Sequence, residues 1–176
     1  MLSSVFVAIL FFSLVGSLAA QKSALNLDGA RVDPLSISAG KIVVLVFVRT
    51  DCPISNRYAP VIQRISTRYA DKAMFWLVYP DKTESPEKIR QHAREHGYAL
   101  PAFRDTQHAL VKQSLARTTP EAAVFDGHGR LLYHAGLTMY TRILVGHAVR
   151  RPHMNSRMRF KQHSLANRFP IAAHKH

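Results

Sequence analysis

Cysteine is nearly absent: the 176 residues hold one, Cys52. A lone cysteine excludes an intramolecular disulfide and any metal centre built on several thiolates. Acid is scarce too, with 11 Asp and Glu against 24 Lys and Arg and a formal net charge of +13. The shortage is uneven. Residues 1–136 carry 16 basic and 11 acidic side chains, whereas residues 137–176 carry 8 basic ones and no acid. Most of the excess therefore sits in a C-terminal segment and is a poor argument for a nucleic-acid or anionic-membrane partner of the whole chain. No apolar run approaches the roughly 20 residues that span a bilayer. Glycine and proline number only 8 and 9, and hydrophobic residues make up 47%. That balance excludes collagen, low-complexity and wholly disordered chains, and the length suits one domain with a real core.

The longest apolar stretch, Val5 to Val15, is followed by Gly16, Ser17, Ala19 and Ala20 and then by polar Gln21 and Lys22. Its length and its Ser17-Leu18-Ala19 ending fit a secretory signal over residues 1–20, although no Lys or Arg precedes the run. The competing readings are an uncleaved anchor and a buried helix. Cleavage would leave no stable membrane span and a secreted or periplasmic protein. Cys52 would then sit in an oxidising compartment.

Lys41 to Val48 is a continuous β-branched run bounded by Gly40 and by Arg49-Thr50-Asp51. Such a run predicts a central strand covered on both faces. Pro53 suits the first turn of a helix, and Tyr58, Val61, Ile62, Ile65 and Tyr69 follow at helical spacing. Ala73 to Tyr79 predicts a second buried strand, with Phe75 and Trp76 in its core. Ser85-Pro86-Glu87 opens a helix that Gly97 ends. A short helix is expected between Gln107 and Leu115. Glu121–Phe125 and Leu131–His134 flank Asp126-Gly127-His128-Gly129, which is hairpin chemistry. The order β-α-β-α-(α)-β-β predicts an α/β fold with a central mixed sheet flanked by helices, parallel crossovers first and an antiparallel hairpin last.

Cys52 lies in Thr50-Asp51-Cys52-Pro53-Ile54-Ser55-Asn56, where a buried strand hands over to a helix. A thiol there faces the free N–H groups and positive end of the helix, which favour the thiolate. The thiolate is the nucleophile toward peroxides and disulfides. Against this stands the ordinary fate of a lone cysteine, a small buried hydrophobe. Ser55 stands where a C-x-x-C motif carries its second thiol, and it reads equally as a plain first-turn hydroxyl. Arg49 and Asp51 flank the thiol and can tune its charge.

Asp51 to Pro60 (Asp-Cys-Pro-Ile-Ser-Asn-Arg-Tyr-Ala-Pro), Thr119-Pro120-Glu121 before a strand, and the Asp126–Tyr133 hairpin together resemble a thioredoxin-fold redoxin. The likeness is to the alkyl hydroperoxide reductase/thiol-specific antioxidant superfamily, and it covers about residues 25–136. It implies a cis Thr119–Pro120 bond packed beside Cys52, presenting backbone to an extended substrate. It makes Asp51, Pro53, Ser55 and Asn56 residues that shape the site. A plain turn before a strand is the alternative for Thr119-Pro120. Two departures stand out. Thioredoxins proper carry two cysteines here, and typical peroxiredoxins place a threonine three residues before the cysteine, whereas Thr50 is two before. Peroxide reduction and disulfide exchange both stay open. With one cysteine, either route needs an external thiol reductant, the peroxide route passing through a sulfenic acid. No cofactor is implied.

Relatives of this kind continue after the hairpin with Gly-Arg-Ile-Asp-Asp, an acidic aromatic stretch and a helix, whereas this chain reads Ala135-Gly136-Leu137-Thr138-Met139-Tyr140. A one-base shift allows Ala135 to Arg159 to be read as text beginning Arg-Ile-Asp-Asp-Val-Tyr. Some of that is forced: Met139-Tyr140 yields only Val, and Met154-Asn155 only Glu. Residues 135–176 therefore read as an out-of-frame continuation, and residues 137–176 as a basic tail outside the fold.

The remaining features favour bland readings. Among the histidines before the tail, His92 and His96 share a helix face and are expected to be solvated, not metal ligands. A copper site from Cys52 and a distant histidine lacks the second thiol. Glu121 is expected to solvate a sheet edge and not to do acid–base work. The sequence thus points to a single-cysteine thiol oxidoreductase acting on a peroxide or a disulfide. A non-catalytic binding module of the same fold is its rival. A basic nucleic-acid-binding protein is a weaker one, because the tail carries no recognisable reading motif.

Overall fold

The computed structural model describes residues 23–38 and 40–137. They form β1 (Ala24–Asn26), β2 (Arg31–Val32), a 3-10 turn (Ser36–Ser38), β3 (Ile42–Phe47), α1 (Pro53–Arg68), β4 (Ala73–Tyr79), α2 (Pro86–Glu95), β5 (Ala102–Arg104), α3 (Ala109–Ser114), β6 (Glu121–Phe125) and β7 (Leu131–Gly136). These strands make one sheet in the order β2-β1-β5-β4-β3-β6-β7. The expected signal segment lies outside the described residues, as does the tail beyond Leu137. Strand β7 runs through Ala135 and Gly136, two residues into the stretch read as out of frame.

Strand β3 shows why its sequence is apolar throughout. It pairs parallel with β4 on one side and antiparallel with β6 on the other. Its side chains alternate between two cores. Ile42, Val44 and Val46, with Val48 just beyond, face the α1 and α2 side and meet Ala59, Ile62, Leu77 and Ile89. Val43, Leu45 and Phe47 face the other side and meet Leu35, Val78, Phe103 and Leu110. Burying each such side chain contributes about 1.5–3 kcal/mol.

The mixed sheet and the terminal hairpin match the sequence expectation, and three strands add to it. β5 is parallel to β4, and β1 pairs antiparallel with both β5 and β2 at the far edge. With two or three residues each, these strands are too short to show a period. The buried stripe of α1 also differs from the apolar spacing: it is Ser55, Ala59, Ile62 and Ser66. Small residues bring the helix close to the sheet, while Tyr58 and Ile65 pack from the flanks and Val61 is half-buried. At the hairpin, Asp126 accepts from the His128 and Arg130 N–H groups at 2.9 Å each. Gly127 is obligatory there, since a Cβ would run into the Gly40 backbone.

Candidate active site

The C-terminal end of β3 delivers Arg49-Thr50-Asp51 to the start of α1, and Cys52 is the residue that caps that helix. Pro53 fills the first helical position, where no N–H is needed. The Ser55 N–H points at the Cys52 sulfur at 3.5 Å, and the Asn56 N–H bonds the Cys52 carbonyl at 3.1 Å. From the other side comes the segment before β6. Its Thr119–Pro120 bond is cis, and the Thr119 carbonyl stands 3.5 Å from the sulfur, accepting from the thiol. Cys52 itself is half-buried. Burial raises its pKa; the Ser55 side chain and N–H, the Thr119 side chain and the Ile54 N–H outweigh this, so the thiol titrates below an ordinary cysteine. The helix N-terminus is the physical source of much of that preference.

Ser55 is fully buried, and its hydroxyl makes no hydrogen bond of standard geometry among the described residues. An unpaired hydroxyl beside a titrating sulfur is a donor held ready for the thiolate. Asp51 is exposed and paired. Arg49 grips both of its oxygens at 2.9 Å and also reaches Asp81 at 2.8 Å. That bond from Arg49 is the leading reason its carboxyl is lowered. The two flanking charges therefore compensate each other.

Asn56 connects the site to the interior. Its amide N–H bonds the Thr50 carbonyl at 3.3 Å and its oxygen meets His92 Nε2 at 2.8 Å. The amide orientation makes that oxygen the acceptor, so Nε2 carries the proton and Nδ1 accepts from the Tyr79 hydroxyl at 2.9 Å. His92 is therefore neutral. Burial and the neighbouring His96 push its pKa down to about 4. This corrects the expectation of solvated helix histidines: His92 is only 3% exposed, inside the ring contacts of Tyr79, His96 and Tyr98. Periodicity hid it because a polar residue on the buried face of a short helix reads as solvent-facing. No group of three or more His, Cys, Asp or Glu is arranged for a metal ion among the described residues.

Two carboxylates belong to this site that the sequence reading left outside it, Glu84 unnoticed and Glu121 as an edge residue. Glu84 is 1% exposed and takes two donors from Thr50. Glu121, expected to solvate an edge, is instead 4% exposed and bonded to the loop before Pro120 and to His134. Its place directly after Pro120 was the available signal. For Glu84, in an ordinary polar loop, there was none.

The comparisons bear on the family and the fold. The AhpC/TSA family matches residues 15–134. Thiol-disulfide oxidoreductase YkuV of Bacillus subtilis is 28% identical over 94 residues, spanning 52% of this chain and 64% of that protein's length. A secreted Mycobacterium tuberculosis disulfide oxidoreductase homologous to E. coli DsbE has a similar structure, with a TM-score of 0.59 at 17% identity over 73% of this chain and 94% of the other. The exposed lipoprotein thioredoxin Etrx1 of Streptococcus pneumoniae superposes with a TM-score of 0.62 at 21% identity, over 73% and 97%. With well over half its length matched by that family and its sheet and helices shared with thioredoxin-like structures, this chain belongs to the AhpC/TSA family and is a thioredoxin-fold redoxin.

Proposed function

We propose that the protein is a single-cysteine thiol–disulfide oxidoreductase. The carrying observation is the position of Cys52: its sulfur caps α1, receives the Ser55 N–H and stands 3.5 Å from the Thr119 carbonyl beside cis Pro120. In the first step the Cys52 thiolate attacks one sulfur of a substrate disulfide. A mixed disulfide forms, the substrate S–S bond breaks, and the other substrate sulfur leaves as a thiolate. In the second step an external thiol, as thiolate, attacks the substrate sulfur of the mixed disulfide. Cys52 leaves as the thiolate that α1 favours, and the substrate departs joined to the external thiol. A further thiol attacks that join and frees the substrate's second sulfur, leaving the two external thiols linked to each other.

Disulfide exchange is favoured over peroxide reduction by the two groups on the strand side. The Thr50 hydroxyl donates to buried Glu84 at 2.6 Å, and the Arg49 guanidinium is held by Asp51 and Asp81. The Thr50 hydroxyl proton is thus committed, and Arg49 turns its Nε and Nη2 donors to carboxylates and not toward a peroxide oxygen. The names of the relatives point the same way, as do their secreted and exposed settings. We read residues 1–20 as an export signal that brings the domain to such a compartment.

The test is turnover of a disulfide and of hydrogen peroxide by the wild type and Cys52→Ser, with a thiol reductant present. Disulfide turnover that exceeds peroxide turnover and disappears in Cys52→Ser is the expected result. Equal activity in Cys52→Ser removes the proposal. No turnover by a folded wild type favours the binding-module reading.

A further inference from the structure

The segment Arg117–Pro120 that faces Cys52 is anchored by one buried carboxylate. Glu121 Oε2 accepts the Arg117 N–H at 2.9 Å and the Thr118 N–H at 3.2 Å, while Oε1 is met by His134 Nδ1 at 2.9 Å. The Glu121 side chain is 5% exposed and that of His134 35%. Both oxygens are thus used, two donors coming from the loop and one from strand β7. A separate bond, from the Leu137 N–H to the Pro120 carbonyl at 2.8 Å, fixes the far end of the same segment. Loops that carry function are ordinarily the mobile parts of a fold, and a buried acceptor for consecutive loop N–H groups removes that freedom.

We propose that Glu121, held by His134, is a positioning residue that sets where the Thr119 carbonyl and Pro120 stand relative to the Cys52 sulfur, and so how firmly a disulfide substrate docks there. It acts through the backbone of Arg117 and Thr118 and does not touch the substrate. Its three donors all come from the protein itself. The inference rests on the reading of Cys52 as the reactive thiol. A glutamine satisfies the same loop: its oxygen accepts both N–H groups, and its amide N–H bonds His134 Nδ1 in the other tautomer. Alanine leaves two N–H groups without their acceptor.

The experiment uses the full chain, a fluorogenic glutathione disulfide as substrate and dithiothreitol as reductant, with kcat and KM measured separately. Glu121→Ala is expected to raise KM by about tenfold while kcat changes by less than about threefold, as befits a lost hydrogen-bonded anchor. Glu121→Gln is expected to recover most of that affinity, to within about threefold of the wild type. Alkylation of Cys52 by iodoacetamide in Glu121→Ala should slow by less than about tenfold, because Ser55 and Ile54 still favour the thiolate while the contribution of Thr119 is disturbed. If Glu121→Ala does not fold, His134→Leu on half-buried β7 carries the test with an expected KM rise of about threefold. An active wild type with an unchanged KM in the variant that folds overturns the positioning role and leaves the Cys52 reading standing. A KM raised equally by alanine and glutamine also overturns it. Wild-type turnover that survives in Cys52→Ser overturns both.

Discussion

Thr50 gives its N–H and its hydroxyl to the same oxygen of Glu84, at 2.7 and 2.6 Å. The two residues are far apart in sequence, and the bond ties the loop after β4 to the turn that presents Cys52. With Glu121 on the opposite side, the thiol sits between two loops, each drawn inward by a buried carboxylate that accepts two donors from it.

Removing the first of these anchors should therefore loosen the cysteine turn. Glu84→Leu leaves both Thr50 donors without an acceptor and is expected to destabilise the fold by about 1–3 kcal/mol. Glu84→Gln keeps an acceptor for Thr50 and should cost less. Urea denaturation of the three proteins checks the order. Equal stability of Glu84→Leu and the wild type contradicts it.

The buried histidine gives a pH signature. Its pKa is lowered, to about 4 from the ordinary 6.5, so the unfolded chain binds the proton more readily than the native one. Stability is therefore fully present above about pH 6.5 and is lost as pH falls toward about 4, by up to about 3 kcal/mol from this group. His92→Gln should be less stable at pH 7.5 because the Tyr79 and Asn56 contacts are disturbed, yet it should lose less on acidification. Denaturation midpoints between pH 4 and 7.5 test this. Parallel curves for both proteins would show that His92 is not the titrating group.

Ser55 occupies the place of a second thiol, with its N–H 3.5 Å from the Cys52 sulfur. Ser55→Cys adds little volume at a buried position and is expected to form an intramolecular disulfide with Cys52 under mild oxidation. Intact mass should show the loss of two hydrogens, and alkylation should block neither sulfur until reduction. A variant that instead accumulates mixed disulfides or stays reduced shows that the two positions cannot close a bridge.

How much of this was readable depends on whether a residue's role is local. The β3 run, the Pro53 helix start, the Ser85 cap and the Asp126 hairpin are set by neighbours a few positions away, and all are visible in the order of residues. Cys52, Ser55, Thr119 and Pro120 were legible through their motif, and the fold brings them together. The short strands β1, β2 and β5 were not, because they exist only by pairing across the sheet. His92, Glu84 and Glu121 looked like surface residues, since a polar side chain is expected outside unless it is paired. The partners Tyr79, Asn56, Thr50 and His134 are supplied by tertiary structure, while Arg117 and Thr118 lie within four residues of Glu121 and are met through the turn at Pro120.

The most direct test is the rate of Cys52 alkylation by iodoacetamide as a function of pH, with the intact mass confirming a single adduct. The thiol is lowered by the Ser55 side chain and N–H, the Thr119 side chain and the Ile54 N–H, which outweigh burial. Half-maximal reactivity is predicted below about pH 8.5, the ordinary thiol value, and it should move upward in Ser55→Ala. A wild-type profile centred at or above about pH 8.5 would contradict the account, because the sulfur would then be an inert thiol at a helix start.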